Sequence, residues 1–257
     1  MNKIVIMGAT SGIGLAVAER LAAEGWMVGV AGRNEQKLSA LQVRFPDNIR
    51  CEQIDITADD APHRLRRLID SLGGMDTYFH VSGVGFANDH LDPALELATM
   101  RVNVDGFTRM IDAAYRYFRD ECGGRGHIAA ITSVAGTNGL GNAAAYSSSK
   151  HFQQTYLRAL DQLARMQHLH IDFTDIRPGW IRTPLLDPRE KYPMLMQLSY
   201  VVPRIIRALR RRRRVAVIDW RWNILVGLWR LIPNALWVHL RIPVGDLVSP
   251  TAPPSSK

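Results

Sequence analysis

Along most of this chain, short apolar runs rich in Val and Ile alternate with longer segments whose apolar residues recur three and four positions apart. Lys3–Met7, Met27–Ala31 and Arg50–Asp55 have the length of strands, and Ile13–Gly25 and Glu35–Phe45 between them have helical spacing. The rhythm continues with a helix around Pro62–Leu72, a strand at Thr77–Ser82 and a helical stretch from Pro93 to Arg119, long enough for two helices. A strand at Gly126–Thr132, a helix at Ala145–Met166 and a strand at His170–Ile176 follow. Alternation of this kind predicts a parallel sheet covered by helices on both faces, since a strand buried on both sides shows no polar face. Past Pro184 the pattern breaks. Leu185–Tyr200 reads as an irregular apolar loop or short helix, Pro203–Arg214 as a basic stretch and Val215–Asp219 as a short strand. In the Trp-rich segment Trp220–Leu240, Trp222, Val226 and Trp229 recur at helical spacing, and Pro233 is placed to start a second short helix. The expected architecture is α/β, a doubly wound parallel sheet of about seven strands. Residues 1–200 form the body, 201–248 a basic extension packed on or beside it, and 249–257 a disordered tail.

A chain of 257 residues, 47% hydrophobic and 22% charged, can bury a full core as a single domain. Cys51 and Cys122 give neither a disulfide framework nor a metal-binding spacing, which points to a reduced, cytoplasmic protein without a metal site. The apolar run at the N-terminus meets Gly-rich sequence too soon for a signal peptide and reads as the first strand. The net charge of +8 is unevenly spread: residues 1–200 hold 21 basic and 22 acidic side chains, residues 201–257 hold 11 and 2. A body without basic excess argues against nucleic acid as a partner.

The candidate chemistry begins where the first strand meets the first helix. In Gly8-Ala9-Thr10-Ser11-Gly12-Ile13-Gly14 the glycines let the backbone turn tightly and approach a pyrophosphate, which then meets the N–H groups and dipole of a helix N-terminus. This marks the fold as Rossmann-type and the ligand as a dinucleotide. The second strand ends in Gly32-Arg33-Asn34, where an NAD site would place a carboxylate for the ribose hydroxyls; Arg33 favours the 2′-phosphate of NADP(H) over NAD(H). Asp55-Ile56, at the end of the third strand, is placed either to face the adenine or to cap the next segment. Tyr146 and Lys150 stand four apart on one helix face, thirteen residues after Ser133 at a strand end. An ammonium beside a phenol favours the phenolate and brings its pKa toward neutrality, so Tyr146 reads as an acid–base, Lys150 as its electrostatic partner and Ser133 as a donor to a substrate oxygen.

With these motifs in this order, the chain from Lys3 to Pro184 resembles the short-chain dehydrogenase/reductase family. The resemblance assigns Gly8, Thr10, Ser11, Gly12, Ile13 and Gly14 to the cofactor loop, Asp55 and Ile56 to the adenine, and Ser133, Tyr146 and Lys150 to a catalytic triad. It also implies that Asn103, otherwise an unremarked polar residue in a helix, is a fourth catalytic residue holding a water in a relay with Lys150. Ser82 and Gly83 would lie under the cofactor, with Pro178, Gly179, Ile181 and Thr183 beside the nicotinamide. The activity implied is reversible hydride transfer between NADP(H) and a carbonyl or alcohol, in a homodimer or homotetramer built on the Tyr146-bearing helix and its neighbour. Two positions depart from the family: Met7 stands where Thr is common, and His80-Val81-Ser82-Gly83 replaces Asn-Asn-Ala-Gly. His80 touches local geometry more than chemistry.

Leu185, Leu186, Tyr192, Met194, Leu195, Met196 and Leu198, with Trp180, occupy the place of a substrate loop and suit a hydrophobic substrate; packing on the body or a neighbouring subunit is the competing reading. Trp220, Trp222, Trp229 and Trp237 lie close in sequence to the run Arg210–Arg214. Their longest uncharged stretch, Trp222–Trp229, is far too short to span a bilayer. Trp beside Arg is, however, the composition of an interfacial helix on an anionic membrane surface, here the inner face of a membrane. A lid over the site, a subunit contact or the docking of an acidic carrier protein on the arginines are the alternatives. A function of another class, a non-catalytic NADP-binding sensor or membrane-surface scaffold, is disfavoured because all four catalytic positions are filled.

Overall fold

A computed structural model describes residues 2–186, 191–240 and 242 of the protein. The expected disordered tail, 249–257, lies outside the described residues. In chain order the elements are β1 (Lys3–Met7), α1 (Gly12–Ala23), β2 (Met27–Gly32), α2 (Glu35–Arg44), β3 (Ile49–Gln53), α3 (Ala61–Ser71) and β4 (Thr77–His80). There follow α4 (Pro93–Met100), α5 (Phe107–Glu121), β5 (Arg125–Ile131), α6 (Ala144–Met166), β6 (His170–Arg177), α7 (Leu198–Arg210), β7 (Val215–Val217), α8 (Trp220–Trp229) and α9 (Asn234–Trp237). The strands form one seven-stranded sheet in the order β3-β2-β1-β4-β5-β6-β7, parallel throughout.

The continuous apolar character of the strands has the expected cause. In β1, Ile4 and Ile6 enter one core while Val5 and Met7 enter the core on the opposite face. The first core is closed by α1, α2, α7 and α8, the second by α3, α5 and α6. Strand order reverses at β1, which has β2 on one side and β4 on the other, so the chain diverges there at the strands' C-terminal ends. That divergence is where open α/β sheets leave a crevice.

The helical stretch from Pro93 resolves into α4 and α5, joined by a π-helical turn at Arg101–Gly106 that contains Asn103. Beyond Pro184 the expected strand from Val215, the helix carrying Trp222, Val226 and Trp229 and the helix after Pro233 are present, but the segment before them differs from expectation. The end of the apolar loop and the start of the basic stretch together form α7, whose Val201, Val202, Ile205, Ile206 and Leu209 are buried in the first core. Pro203 inside this helix obscured it in the sequence, because proline removes an intrahelical donor. With β7 hydrogen-bonded to β6, the chain from 201 to 217 is integral to the sheet and its core. The arginine run ends α7 and precedes β7, at the N-terminal edge of the sheet: Arg210 pairs with Glu24, Arg212 with Asp172 at 2.7 Å and Arg214 with Asp161 at 3.2 Å. The Trp-bearing α8 follows β7 at the opposite edge.

Candidate active site

At the crevice, Gly8 adopts φ +99° and a Cβ there would stand 2.6 Å from the Ser82 amide nitrogen; at Gly14 a Cβ would reach 2.1 Å from the Gly8 carbonyl oxygen. Only glycine allows the turn to lie this close to both the end of β4 and the first turn of α1. Met7 closes the arrangement from below, its carbonyl accepting the Val81 and Ser82 N–H groups at 2.8 and 2.9 Å. The result is an open cradle ending in the free N–H groups of α1, the geometry a pyrophosphate fits.

A cavity of about 570 Å³ runs from this cradle along the strand ends. Gly8, Thr10, Ser11, Gly12, Ile13, Arg33, Asp55, Ile56, Ser82, Gly83, Pro178, Gly179, Ile181 and Thr183 all line it; Gly14 lies behind the turn. Arg33 is exposed at the rim, its carbonyl accepting from Gln53 Nε2 at 2.9 Å. Asp55 faces the cavity while its Oδ1 accepts from the N–H and hydroxyl of Thr57 at 2.9 and 2.8 Å, so it caps the following turn as well. Ile56 is buried against Gly106.

Ser133, Tyr146 and Lys150 meet on the inner wall of the same cavity. Ser133 caps a short 3₁₀ turn at Val134–Thr137, its hydroxyl accepting from the Ala135 N–H at 3.1 Å, and shares the cavity wall with the Tyr146 phenol. Lys150 is buried, with Nζ donating to the Ile131 carbonyl and to Gln153 Oε1, each at 3.1 Å. Desolvation lowers its pKa to about 8, against the pull of Asp175. Burial pushes the Tyr146 phenol up, and the Ser133 hydroxyl draws it part of the way back. The expected depression by Lys150 is not seen: Nζ is directed to its two acceptors and stands 5.8 Å from the ring centre. Asn103 is fully buried and does not reach the cavity; its amide exchanges hydrogen bonds with the Val84 backbone at 2.9 and 2.7 Å and donates to Ser149 Oγ at 3.0 Å. A Cβ on Gly83 would stand 3.3 Å from both Asn103 Oδ1 and Lys150 Nζ, so this glycine keeps the wall between them thin.

The family model described as short chain dehydrogenase matches residues 2–193. The chain belongs to the short-chain dehydrogenase family. It is 28% identical over 247 residues to an uncharacterized oxidoreductase of Mycobacterium tuberculosis, 91% of this chain and 95% of that one. A putative ketoacyl reductase of Streptomyces coelicolor is 29% identical over 205 residues, covering 76% and 77% of the two chains. In fold the chain is similar to a short-chain dehydrogenase from Sphingobium yanoikuyae in complex with NADPH, with a TM-score of 0.76 and 21% identity over 94% of this chain and 97% of that one.

The outer half of this dehydrogenase's cavity is apolar. Leu185, Leu186, Met194 and Trp180 line it, and Tyr192 packs on Trp180 with ring centres 4.9 Å apart. Met196 and Leu198 instead enter the first core, where Met196 is tied to Trp180 and Arg182 by backbone bonds of 2.9 Å each. Of the readings open for the Trp-rich segment, the lid over the site is the one α8 fits: Trp222, Leu225 and Trp229 line the cavity, and Trp222 lies so close to Gly179 that a Cβ there would touch the indole at 2.1 Å. Sequence reasoning missed Gln153 and Gln154, both buried on α6. Their signal was available: Lys150, Gln153, Gln154, Leu157, Leu160 and Ala164 form one buried helical stripe whose first three members are polar. Gln154 Nε2 donates to the Ser133 carbonyl at 2.7 Å and so fixes the strand end that carries the hydroxyl. His80 does not line the cavity. It is buried against Tyr78 and Phe107 and kept neutral, with a pKa lowered to about 3 by desolvation and then by Lys150. Among the described residues no helix is long and apolar enough to cross a membrane.

Proposed function

We propose that the protein is an NADP(H)-dependent oxidoreductase that interconverts a carbonyl and an alcohol on a hydrophobic substrate, with Tyr146 as its acid–base. The observation that carries this reading is the Ser133–Tyr146 pair facing an apolar cavity, above a buried Lys150. The residues present fit a dinucleotide: the cradle at Gly8, Ser82 and the N-terminus of α1 would hold the pyrophosphate, and Arg33 at the rim would take the 2′-phosphate. Asp55 and Ile56 would meet the adenine, and Ile181 and Thr183 the carboxamide. When bound, the cofactor supplies the hydride. Tyr146, which burial keeps as the neutral phenol, donates its proton to the carbonyl oxygen in the reductive direction, and the Ser133 hydroxyl donates a second hydrogen bond to the same oxygen. Leu185, Leu186, Met194, Leu225 and Trp229 exclude water and receive the apolar part of the substrate. The relative named as a ketoacyl reductase and the structural neighbour that holds NADPH agree with this assignment.

The test is NADPH oxidation by purified protein against ketones graded from small to lipophilic, beside Tyr146→Phe. Turnover is expected to favour the lipophilic members and to fall on the order of 10²–10⁴-fold in the variant. Saturable NADPH binding with no turnover across the panel would instead favour the non-catalytic sensor.

A further inference from the structure

Gln153 is fully buried on α6, one turn beyond Lys150. A buried carboxamide must have its donor and its acceptor engaged, and both engagements here fall on the machinery described above. Nε2 donates to the Asn103 carbonyl at 2.8 Å, and Oε1 accepts from Lys150 Nζ at 3.1 Å. The orientation follows from the partners, because an ammonium can only donate and a carbonyl can only accept. Asn103 lies in the π-helical turn Arg101–Gly106, a local widening of the helix.

We propose that Gln153 is a positioning residue of the catalytic constellation, linking the Asn103 carbonyl directly to Lys150 with a side chain where the family resemblance implies a water. The inference rests on the assignment of Lys150 to the active site. Of the two acceptors on Nζ, the Ile131 carbonyl belongs to the backbone, so Gln153 is the side chain that holds the ammonium in place. The other ionisable groups around Lys150 are committed elsewhere. Asp175 of β6 is bound by Arg177 at 2.7 Å and by the Thr132 hydroxyl at 2.5 Å. His80 of β4 bonds the Tyr78 hydroxyl at 3.0 Å and is neutral, and Tyr146 on α6 is a buried phenol that burial holds in its neutral form. Gln153 therefore sets how readily Lys150 keeps its proton.

The experiment is a pH titration, by NMR, of the full chain labelled with ¹³Cε-lysine. Lys3, Lys37, Lys150, Lys191 and Lys257 give five signals, and Lys150→Met identifies the one of interest. The Lys150 midpoint is expected near 8 in the unmutated protein. It should rise by at least about one unit in Gln153→Glu, whose carboxylate favours the ammonium, and fall in Gln153→Met, which removes the acceptor. In unmutated protein labelled with ¹⁵Nε-glutamine, one buried side-chain amide should follow the same midpoint, a readout that depends on no variant folding. Unmoved midpoints in folded variants, or no glutamine amide tracking Lys150, would overturn the proposal. No substrate or cofactor enters these measurements, so a failure to find turnover would count against the proposed reaction and leave this result standing. Where turnover is measured, the alkaline limb of kcat should move with the Lys150 midpoint while KM holds.

Discussion

Arg33 shows what one residue type at one place can carry. It stands at the end of β2 on the rim of the cavity, exposed, where it loses little solvation until an anion arrives. A guanidinium there meets a phosphate in a bidentate fashion, which a 2′-hydroxyl cannot reproduce. Tighter binding of NADPH than of NADH is expected, and Arg33→Ala should remove most of the difference, about 1–2 kcal/mol or roughly 5- to 30-fold in Kd ratio, by fluorescence titration with both cofactors. Equal affinities in the unmutated protein would remove the basis for the NADP(H) assignment. At this scale the sequence was most legible where chemistry fixes the residue type: glycines at the cradle, and Tyr146 and Lys150 one helical turn apart after Ser133. It was least legible where a polar side chain acts through another. Gln153 and Gln154 differ from surface glutamines only in falling on the buried stripe of α6, and Asn103 became visible only through resemblance.

At the scale of elements, strands and helices up to β6 could be read because the central strands β1, β2 and β4 are apolar on both faces and the helices between them on one, while β3 and β6 fall where the alternation places them. The chain after Pro184 was harder, for two physical reasons. Pro203 interrupts α7 in the sequence without ending it in space, and α8 is apolar nearly all round, so no periodicity says which face is covered. The structure separates its faces: Trp222 and Val226 are buried and Leu225 and Trp229 line the cavity, while Trp220, Ile224 and Leu228, four positions apart along the helix, form an exposed apolar row, with Leu231 and Leu236 exposed beyond it. Because the arginine run lies at the other edge of the sheet, the anionic attraction inferred from sequence and this apolar row do not form one surface. We propose that the row seats on a lipid surface, through which a hydrophobic substrate reaches the cavity. Binding should then occur to neutral phosphatidylcholine vesicles and survive high salt, because burial of apolar area is not screened. Ile224→Glu with Leu228→Glu should abolish it in a sedimentation assay while leaving NADPH binding intact. Binding that needs anionic lipid and vanishes with salt would place the contact on the arginines instead.

Across the whole molecule, the parallel sheet carries ionisable groups deep inside, and two of them tie stability to pH. His80 in β4 and His127 in β5 are both 1% exposed, and desolvation lowers their pKa values to about 3 and about 4. Neutral partners hold them there: the hydroxyls of Thr77 and Thr174 take both ring nitrogens of His127, whereas for His80 the Tyr78 hydroxyl takes Nδ1 and Nε2 is buried without a partner among the described residues. The unfolded chain would protonate both near pH 6.5, while the folded chain resists until well below that. Between those limits the unfolded state binds more protons, and stability must fall as pH falls. The slope approaches about 1.4 kcal/mol per pH unit for each histidine, so lowering pH from 7 to 5 should cost about 3–4 kcal/mol. Lys150 adds nothing in this window, because an ammonium with a folded pKa of about 8 is charged in both states below pH 7. Urea unfolding at pH 7, 6 and 5 measures the sum. His80→Asn, a change to another neutral hydrogen-bonding side chain, should remove about half of the pH dependence whatever it does to stability at pH 7. A slope identical to that of the unmutated protein would mean that His80 is protonated in the folded state, and the neutral Tyr78–His80–Phe107 packing under the site would have to be abandoned.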